Sequence, residues 1–166
     1  MLFRSRLAWR ENMKRYNHGH APFYILLVDL DNFKAINDTY GHPKGDEVLK
    51  FTVAWLKSIV RADDKVFRLG GDEFAVTGII DPLEENTLTE KIKIMNESFS
   101  KHIMQFLGLQ TTLSLGALFT KSGLSEETIF SKVDDLLYRS KASGKNTITV
   151  QNDLDQGGEH EVKGSD

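Results

Sequence analysis

One short segment constrains the fold more than any other part of this chain. The run FYILLVDL, residues 23–30, is apolar at every position except Asp29. A strand with one face in water alternates apolar and polar residues, whereas an unbroken apolar run of this length is typical of a strand buried on both faces. We therefore expect residues 23–30 to form an inner strand of a sheet that has helices packed on both sides.

Apolar periodicity predicts the elements that surround this strand. Helices are predicted at 3–17, 31–40, 46–61, 88–106 and 125–142, with Gly41 and Pro43 separating the second from the third. The remaining strands are predicted at 65–69, 73–77, 111–119 and 146–150, and a polar loop at 81–86. From the first strand onward the order is β-α-β-β-α-β, the ferredoxin-like α/β arrangement, with a central, mostly antiparallel sheet flanked by helices. In it the third strand lies between the first and the second and is antiparallel to both.

The composition is that of one globular domain with its own core, since 40% of the 166 residues are hydrophobic and 27% are charged. With a net charge of −3, no basic face for a nucleic acid polymer is expected. The absence of cysteine excludes disulfides and thiolate metal sites. No apolar run is long enough to cross a bilayer, so we expect a cytoplasmic domain without membrane contact, alone or within a larger protein. Residues 151–166 are polar and contain glycine, and we expect a disordered tail there.

Acidic residues stand where two of the predicted strands meet. Asp29 lies at the end of the first strand, and Asp72 and Glu73 follow the tight Gly70-Gly71 turn at the start of the third. The ferredoxin-like topology places these two strand ends side by side. Two carboxylates about 4 Å apart repel each other by roughly 1 kcal/mol in water and about 4 kcal/mol at an intermediate dielectric, so a cation is expected between them. Hard oxygen ligands without cysteine favour Mg²⁺ or Mn²⁺.

Other residues suit a phosphate-bearing substrate. At residues 31–34 a strand turns into a helix, and the free amides of a helix N-terminus bind phosphate. Lys141 and Lys145, near the end of the last helix, are further candidates for phosphate contacts. Asn37 and Asp46 are candidates for base recognition, because a carboxylate accepts hydrogen bonds from the N1–H and N2 amino groups of guanine, a donor pair that adenine lacks.

Each of these features also has a purely structural explanation. A Gly-Gly-Asp-Glu turn is often a solvated hairpin, and an aspartate such as Asp29 after a strand often caps a helix. Lys141 and Lys145 favour the dipole at a helix C-terminus whether or not they bind anything. Only the combination of these features indicates a functional site.

In combination these motifs resemble the GGDEF domain of bacterial diguanylate cyclases. The resemblance runs from residue 3 to residue 150 and is carried by VDLDNFK (28–34), INDTYGH (36–42) with Gly45-Asp46, GGDEF (70–74), SLG (114–116), and DDLLY (134–138) with Lys141, Gly144, Lys145 and Asn146. It implies a nucleotidyl-cyclase-like form of the ferredoxin-like fold over residues 1–150. It also implies that two GTP molecules are condensed into cyclic di-GMP, with release of two pyrophosphates.

The resemblance further implies roles for individual residues. Asp29 and Asp72, with the Leu30 carbonyl, would hold two Mg²⁺ or Mn²⁺ ions in each half-site. Asp72 and Glu73 would be the catalytic acids, with Glu73 close to the reacting hydroxyl. The residues implied to bind GTP are Asn37 and Asp46 at guanine, Asn32, Phe33, Lys34, Lys141 and Lys145 at the phosphates, and Gly70 and Gly71 in the turn. Because each domain would hold one GTP and the product is two-fold symmetric, the active species would be a homodimer.

A separate motif suggests regulation. Arg61 and Asp64 form an R-x-x-D sequence a few residues before Gly70. It resembles the family's inhibitory site, at which cyclic di-GMP binds and suppresses its own synthesis. The structural alternative for this motif is a solvated helix end.

The sequence also departs from the family pattern. The motif that precedes the family's first helix is absent, which suggests an N-terminally truncated domain from a longer protein with an upstream sensor domain. Residue 145 is Lys where many members have Arg, so a bidentate phosphate contact is lost there. Two other functions stay open: a catalytically weak or inactive domain that serves as a receptor for GTP or cyclic di-GMP, and a structural dimerisation module.

Overall fold

The computed structural model describes residues 6–154, in which helices and strands follow the predicted order. The helices are α1 Arg6–His18, α2 Phe33–Tyr40, α3 His42–Ile59, α4 Glu85–Leu107 and α5 Glu126–Ala142. The strands are β1 Phe23–Leu30, β2 Lys65–Gly70, β3 Glu73–Ile79, β4 Leu113–Thr120 and β5 Ile148–Asn152. A 3₁₀ turn, Pro82–Glu84, precedes α4. None of the helices described has the length and apolar character needed to span a bilayer.

The five strands form one sheet in the order β2-β3-β1-β4-β5. β3 lies between β1 and β2 and is antiparallel to both, as the ferredoxin-like prediction requires. β4 is antiparallel to β1 on its other side, and β5 joins β4 in parallel. All eight residues of β1 are buried, so the unbroken apolar run is the central strand of a mixed sheet. The predicted fold class is confirmed.

Successive side chains of β1 point to opposite faces of the sheet, and each face has its own core. Tyr24, Leu26, Val28 and Leu30 pack with apolar residues of α3 and α4. Phe23, Ile25 and Leu27 pack with residues of α1 and α5. Asp29 continues this second series, so its side chain lies on the α1/α5 side at the end of the central strand.

The predicted starts of two helices, α3 and α4, are wrong. α3 begins at His42, four residues before the predicted start, with Pro43 in its first turn. Proline is tolerated there because the first amides of a helix need no intrahelical acceptor. The predicted loop at 81–86 instead contains the 3₁₀ turn, which the Asp81 side chain caps by accepting a hydrogen bond from the Leu83 amide at 2.9 Å, and α4 begins directly after it at Glu85.

The predicted tail also begins too early. Gln151 and Asn152 belong to β5, and Leu154 is buried against the α3/α4 core. Asp153 pairs with Lys132 of α5 at 2.9 Å. β5 is an edge strand paired on one side only, and its residues are half-buried, so its sequence lacks the apolar signal of an inner strand. The rest of the predicted tail, residues 155–166, lies outside the described residues.

Candidate active site

The register of β1 and β3 gathers the predicted acidic residues. Asp29 is paired directly with Glu73, so both side chains lie on the same face of the sheet. The Leu30 amide donates a hydrogen bond to the Asp72 carbonyl at 3.1 Å, which holds the turn before β3 against the end of β1. The structure therefore brings Asp29, Leu30, Asp72 and Glu73 together, although 43 positions separate Asp29 from Asp72 in the sequence.

Asp29, Leu30 and Asp72 line a cavity of about 240 Å³, whereas Glu73 lies outside its lining. Its lining contains every residue proposed from the sequence for metal and phosphate binding, together with Asp31: Asp29, Leu30, Asp31, Asn32, Phe33, Lys34, Asp72, Lys141 and Lys145. They come from the end of β1, the start of α2, the turn before β3, the last turn of α5 and the turn that follows α5. One cavity thus combines carboxylates with lysines and the amino end of a helix.

Asp29 is the most perturbed acid of the site. Its side chain is largely buried, and Lys141 Nζ forms an ion pair with its Oδ2. Its Oδ1 is buried without a hydrogen-bond donor among the described residues. Burial raises the pKa of Asp29 to about 6; the Lys141 contact opposes this rise and the charge of Asp72 adds to it. An acidic oxygen without a donor, beside a second carboxylate, is suited to a cation.

The carboxylates of the site fit a metal ion that is also coordinated by water and by substrate. No group of three or more histidine, aspartate or glutamate side chains is arranged as a metal site within residues 6–154. Mg²⁺ commonly takes one or two protein carboxylates and completes its shell with water and substrate phosphate oxygens. Asp29 and Asp72 provide two such carboxylates, so they fit a shared ion of this kind better than a closed protein cage.

Glu73 lies between charges of both signs. Burial raises its pKa, Arg6 of α1 opposes the rise, and the charge of Asp134 on α5 adds to it. The Arg6 guanidinium is 4.0 Å from the Glu73 carboxylate. Sequence reasoning missed this arginine, because a basic residue on an amphipathic helix gives no local sign of a partner on a distant strand.

The end of α5 is held close to the sheet, which places Lys141. A Cβ added to Gly116 of β4 would lie 2.5 Å from the Leu137 backbone nitrogen, so only glycine permits this approach. One turn later, Ser140 Oγ donates a hydrogen bond to the Leu115 carbonyl at 2.6 Å. The SLG motif in the sequence is the signal for this close packing, although its reason is visible only in the structure.

Asp31 fixes the loop between β1 and α2. It is buried, and its carboxylate accepts hydrogen bonds from Thr112 Oγ1 at 2.6 Å, Ser114 Oγ at 2.7 Å and the Asn146 amide at 3.1 Å. Its oxygens are therefore occupied by donors within the protein, unlike Oδ1 of Asp29. Asp31 holds the loop in place, a role that sequence reasoning did not assign.

The phosphate-binding candidates occupy unusual backbone conformations. Asn32 has φ 58°, and α2 begins after it without a side-chain cap, so the amides of the first turn stay open to an anion. The turn after α5 has positive φ at three successive residues: Gly144, Lys145 and Asn146. In this turn Lys145 Nζ donates to Asn32 Oδ1 at 3.0 Å. Such conformations persist where the surrounding structure holds them, and they cluster at functional sites.

The two base-recognition candidates lie on neighbouring helices. Asn37 is on α2 and Asp46 is in the second turn of α3. Gly45 lets them approach, because a Cβ added there would lie 1.9 Å from Asn37 Oδ1. Asp46 follows directly and is exposed. The Asn37 side chain therefore lies against the residue that precedes Asp46.

The Gly70-Gly71 turn is held by a neighbouring arginine. Nε and Nη2 of Arg68 donate to the Gly71 carbonyl at 3.1 Å and 2.9 Å. The register of β2 and β3 shifts between Arg68 and Gly70, and Gly71 has φ 48°. The tight turn was expected, and the forked contact that holds it was not.

The R-x-x-D residues meet at a second cavity. The Arg61 amide donates to Asp64 Oδ2 at 2.9 Å, and the Asp64 amide donates back to the Arg61 carbonyl at 3.1 Å. The cavity is about 420 Å³ and is lined by Lys57, Val60, Arg61, Ala62, Asp64 and Val66. Asp64 lies against Gly78, which is five residues along β3 from Glu73, or about 17 Å at 3.4 Å per residue. The two cavities therefore lie at opposite ends of the same strands.

Comparison with known proteins places this geometry in a family. The model of the diguanylate cyclase GGDEF domain matches residues 2–147. The chain is 41% identical over 128 residues to the diguanylate cyclase DgcM and 32% identical over 140 residues to the probable diguanylate cyclase DgcT, both of Escherichia coli (strain K12). These matches cover 76% and 79% of this chain, respectively, and 30% of each relative.

A solved structure shows the same fold. The coiled coil and GGDEF domain of DgcB from Caulobacter crescentus, in complex with c-di-GMP, matches this chain with a TM-score of 0.78 at 23% sequence identity. The match covers 90% of this chain and 82% of that one. The family model, the relatives and the fold agree: the chain belongs to the GGDEF domain family of diguanylate cyclases.

Proposed function

We propose that this domain is a diguanylate cyclase that condenses two GTP molecules into cyclic di-GMP and releases two pyrophosphates. The observation that carries the proposal is the single cavity in which Asp29 and Asp72 meet Lys141, Lys145 and the start of α2. A site that binds a nucleoside triphosphate with its metal needs carboxylates for the metal and hydrogen-bond donors for the phosphates, and this cavity has both. The 3′-hydroxyl of each GTP attacks the α-phosphorus of the other, and pyrophosphate leaves.

The acids would hold the metal. Asp29, Asp72 and the Leu30 carbonyl would bind Mg²⁺ or Mn²⁺, two ions in each half-site. Bound there, the ions would activate the attacking oxygen and neutralise charge on the pyrophosphate. The buried, donor-free Oδ1 of Asp29 supports this assignment. Glu73, whose pKa is raised by burial, would lie close to the reacting hydroxyl.

The phosphates would lie between the start of α2 and the end of α5. The backbone amides of Asn32, Phe33 and Lys34 would contact them from one side, and Lys141 and Lys145 from the other. The Gly70-Gly71 turn would border the substrate without a side chain in the way. Lys145 is a point donor where arginine would offer a fork, so its contact fixes the phosphate less firmly.

Guanine would be read by Asn37 and Asp46. The Asp46 carboxylate would accept from N1–H and the N2 amino group. Adenine would place an acceptor against this carboxylate, and a polar group that a bound base covers and leaves unpaired costs roughly 1–3 kcal/mol. We therefore propose selectivity for GTP over ATP, which fits a product with two guanines.

The active species would be a two-fold symmetric homodimer. Each domain offers one cavity for one GTP, and the product has two equivalent halves, so two half-sites must face each other. Cyclic di-GMP would then bind at Arg61 and Asp64 and suppress turnover. The structure of DgcB in complex with c-di-GMP shows that a domain of this fold binds the dinucleotide.

The length of the relatives bears on what other domains accompany this one. The chain spans 30% of the length of DgcT and DgcM, which leaves room for other domains in proteins of this kind. We propose an upstream sensor domain that controls dimerisation, and a position in the cytoplasm, where GTP is available.

One experiment tests the reaction and separates it from the alternative function. The protein is incubated with GTP and Mg²⁺, and the nucleotides are resolved by chromatography. A cyclase converts GTP into cyclic di-GMP, and an equimolar mixture of GTP and ATP gives a product with guanine only. Binding of cyclic di-GMP without any conversion of GTP would identify a receptor domain, which the meeting of Arg61 and Asp64 also suits.

A further inference from the structure

Glu84 contacts Arg61 at the edge of the second cavity. Its Oε2 accepts a hydrogen bond from Arg61 Nη2, and the two groups form an ion pair across 23 positions of sequence. About half of each side chain is exposed. The Arg61 guanidinium is thus already engaged by a carboxylate of the same chain.

The backbones on both sides of this pair are fixed. Glu84 ends the 3₁₀ turn, where its amide donates to the Asp81 carbonyl at 2.8 Å, and the buried Glu85 follows with Oε1 accepting from Thr89 Oγ1 at 3.0 Å. Arg61 is fixed by its reciprocal hydrogen bonds with Asp64. Because both side chains are about half exposed, rotation of the side chains is enough to open the pair without rearrangement of the backbone.

Glu84 also sets the charge of the cavity. The ionisable side chains of the cavity lining are Lys57, Arg61 and Asp64, which sum to one positive charge. With Glu84 at the edge, two positive and two negative groups balance. Each cation alone would attract a small polyanion. The balanced set of charges does not, because the carboxylates cancel the attraction.

We propose that Glu84 is a specificity-determining residue of the Arg61–Asp64 site, and that it excludes simple phosphates in favour of ligands that present a guanine edge. The inference rests on the proposed product site. Guanine offers acceptors at N7 and O6 for Arg61, and donors at N1 and N2 for the Asp64 carboxylate. Pyrophosphate, which the proposed reaction releases, offers only acceptors. Cyclic di-GMP carries one negative charge on each of its two phosphodiesters, less charge than pyrophosphate or the triphosphate of GTP, so Glu84 opposes the product least and leaves its guanine edge as the preferred contact.

The test measures two ligands at one site. Binding of a fluorescent cyclic di-GMP, and its displacement by pyrophosphate, are followed in metal-free, low-salt buffer. The proteins are the wild-type chain, Glu84→Gln, Arg61→Ala, and Glu90→Gln as a control that removes an exposed charge paired with Lys93 on α4. Thermal melting shows whether each variant is folded.

Glu84→Gln should bind pyrophosphate about ten-fold more tightly and cyclic di-GMP at most about three-fold more tightly. The gain for pyrophosphate should vanish at high salt, because the exposed charges are then screened. Glu90→Gln should behave as wild type. Equal changes for the two ligands, or none, would overturn the role of Glu84.

The outcomes separate this inference from the proposals beneath it. Loss of cyclic di-GMP binding in Arg61→Ala, with an unchanged selectivity in Glu84→Gln, would leave the product site standing and reject Glu84. Absence of binding to the wild type and to Glu84→Gln, or full binding to Arg61→Ala, would reject the product site and this inference with it. The initial rate of cyclic di-GMP synthesis from GTP reports separately on the proposed reaction.

Discussion

Lys141 of α5 forms an ion pair with the buried Asp29 of β1, and it engages only one of the two carboxylate oxygens. The other oxygen has no donor in the described part of the chain, and the pKa of Asp29 is raised to about 6 by burial despite the lysine. A buried charge that is only partly compensated lowers stability. A cation at this oxygen would remove that penalty.

Asp29→Asn should stabilise the metal-free protein. The folded chain holds the Asp29 proton more tightly than the unfolded chain, so the free energy of unfolding of the wild type falls as pH rises from about 4 to about 6. The variant lacks this loss and should gain on the order of 2 kcal/mol above pH 6, with no gain near pH 4. Urea unfolding across this pH range measures it, with the exposed Glu97→Gln as the control. A variant no more stable than wild type at pH 8 would mean that Lys141 fully compensates the charge.

Asp72→Ala should abolish turnover and keep the fold. Asp72 lines the cavity, and its backbone carbonyl makes the contact with the Leu30 amide that every residue type can provide. Loss of a metal ligand typically removes several kcal/mol of transition-state stabilisation, or about two to three orders of magnitude in rate. Pyrophosphate release and thermal melting are the measurements, with Glu97→Ala as the matched control. Retention of most of the rate in Asp72→Ala would reject the metal site.

Gly45→Ala should separate stability from substrate affinity. Alanine favours a helix by about 1 kcal/mol over glycine, but its Cβ would displace the Asn37 side chain. We expect a melting temperature within a few degrees of wild type and a KM for GTP raised about ten-fold, with kcat less affected. Lys44→Ala, a change in the preceding residue, is the control. An unchanged KM would show that Asn37 does not contact guanine.

Arg61→Ala should weaken binding of cyclic di-GMP and relieve inhibition. A hydrogen-bonded guanidinium commonly contributes 1.5–3 kcal/mol, so a loss of about ten- to a hundred-fold in affinity is expected. Calorimetry measures the affinity, and progress curves with GTP should stay linear as product accumulates. Lys65→Ala, at the start of β2, controls for loss of a positive charge nearby. Progress curves that still bend as in the wild type would place inhibition elsewhere.

The sequence predicted those features that depend on local pattern and topology. The apolar run marks β1, and the β-α-β-β-α-β order brings Asp29 and Asp72 to adjoining strand ends without any knowledge of side chains. Contacts between side chains on distant elements had no such signal. The Arg6 pair with Glu73 and the Glu84 pair with Arg61 depend on where α1 and the 3₁₀ turn pack, and neither residue stands in a periodic pattern that reveals a partner.

The predicted ends of helices and strands were wrong where the same local sequence is compatible with two structures. Pro43 ends a helix or begins one, and here it lies in the first turn of α3. β5 has polar residues because it is half-buried at the edge of the sheet, so its end could not be told from a polar tail. In both cases, packing against residues distant in the sequence determines where the element begins or ends. A local sequence pattern does not identify those residues.

β1 and β3 carry one site at each end, with Asp29 opposite Glu73 at one end and Tyr24 opposite Gly78, against which Asp64 lies, at the other. Because a strand turns its side chains over with every residue, inserting or deleting one residue between these ends would turn one site to the opposite face of the sheet. Substitutions can therefore change either of the two proposed sites, but the distance between the sites cannot grow by one residue at a time. Insertions in members of this lineage should be confined to the loops, and the two strands should keep a constant length.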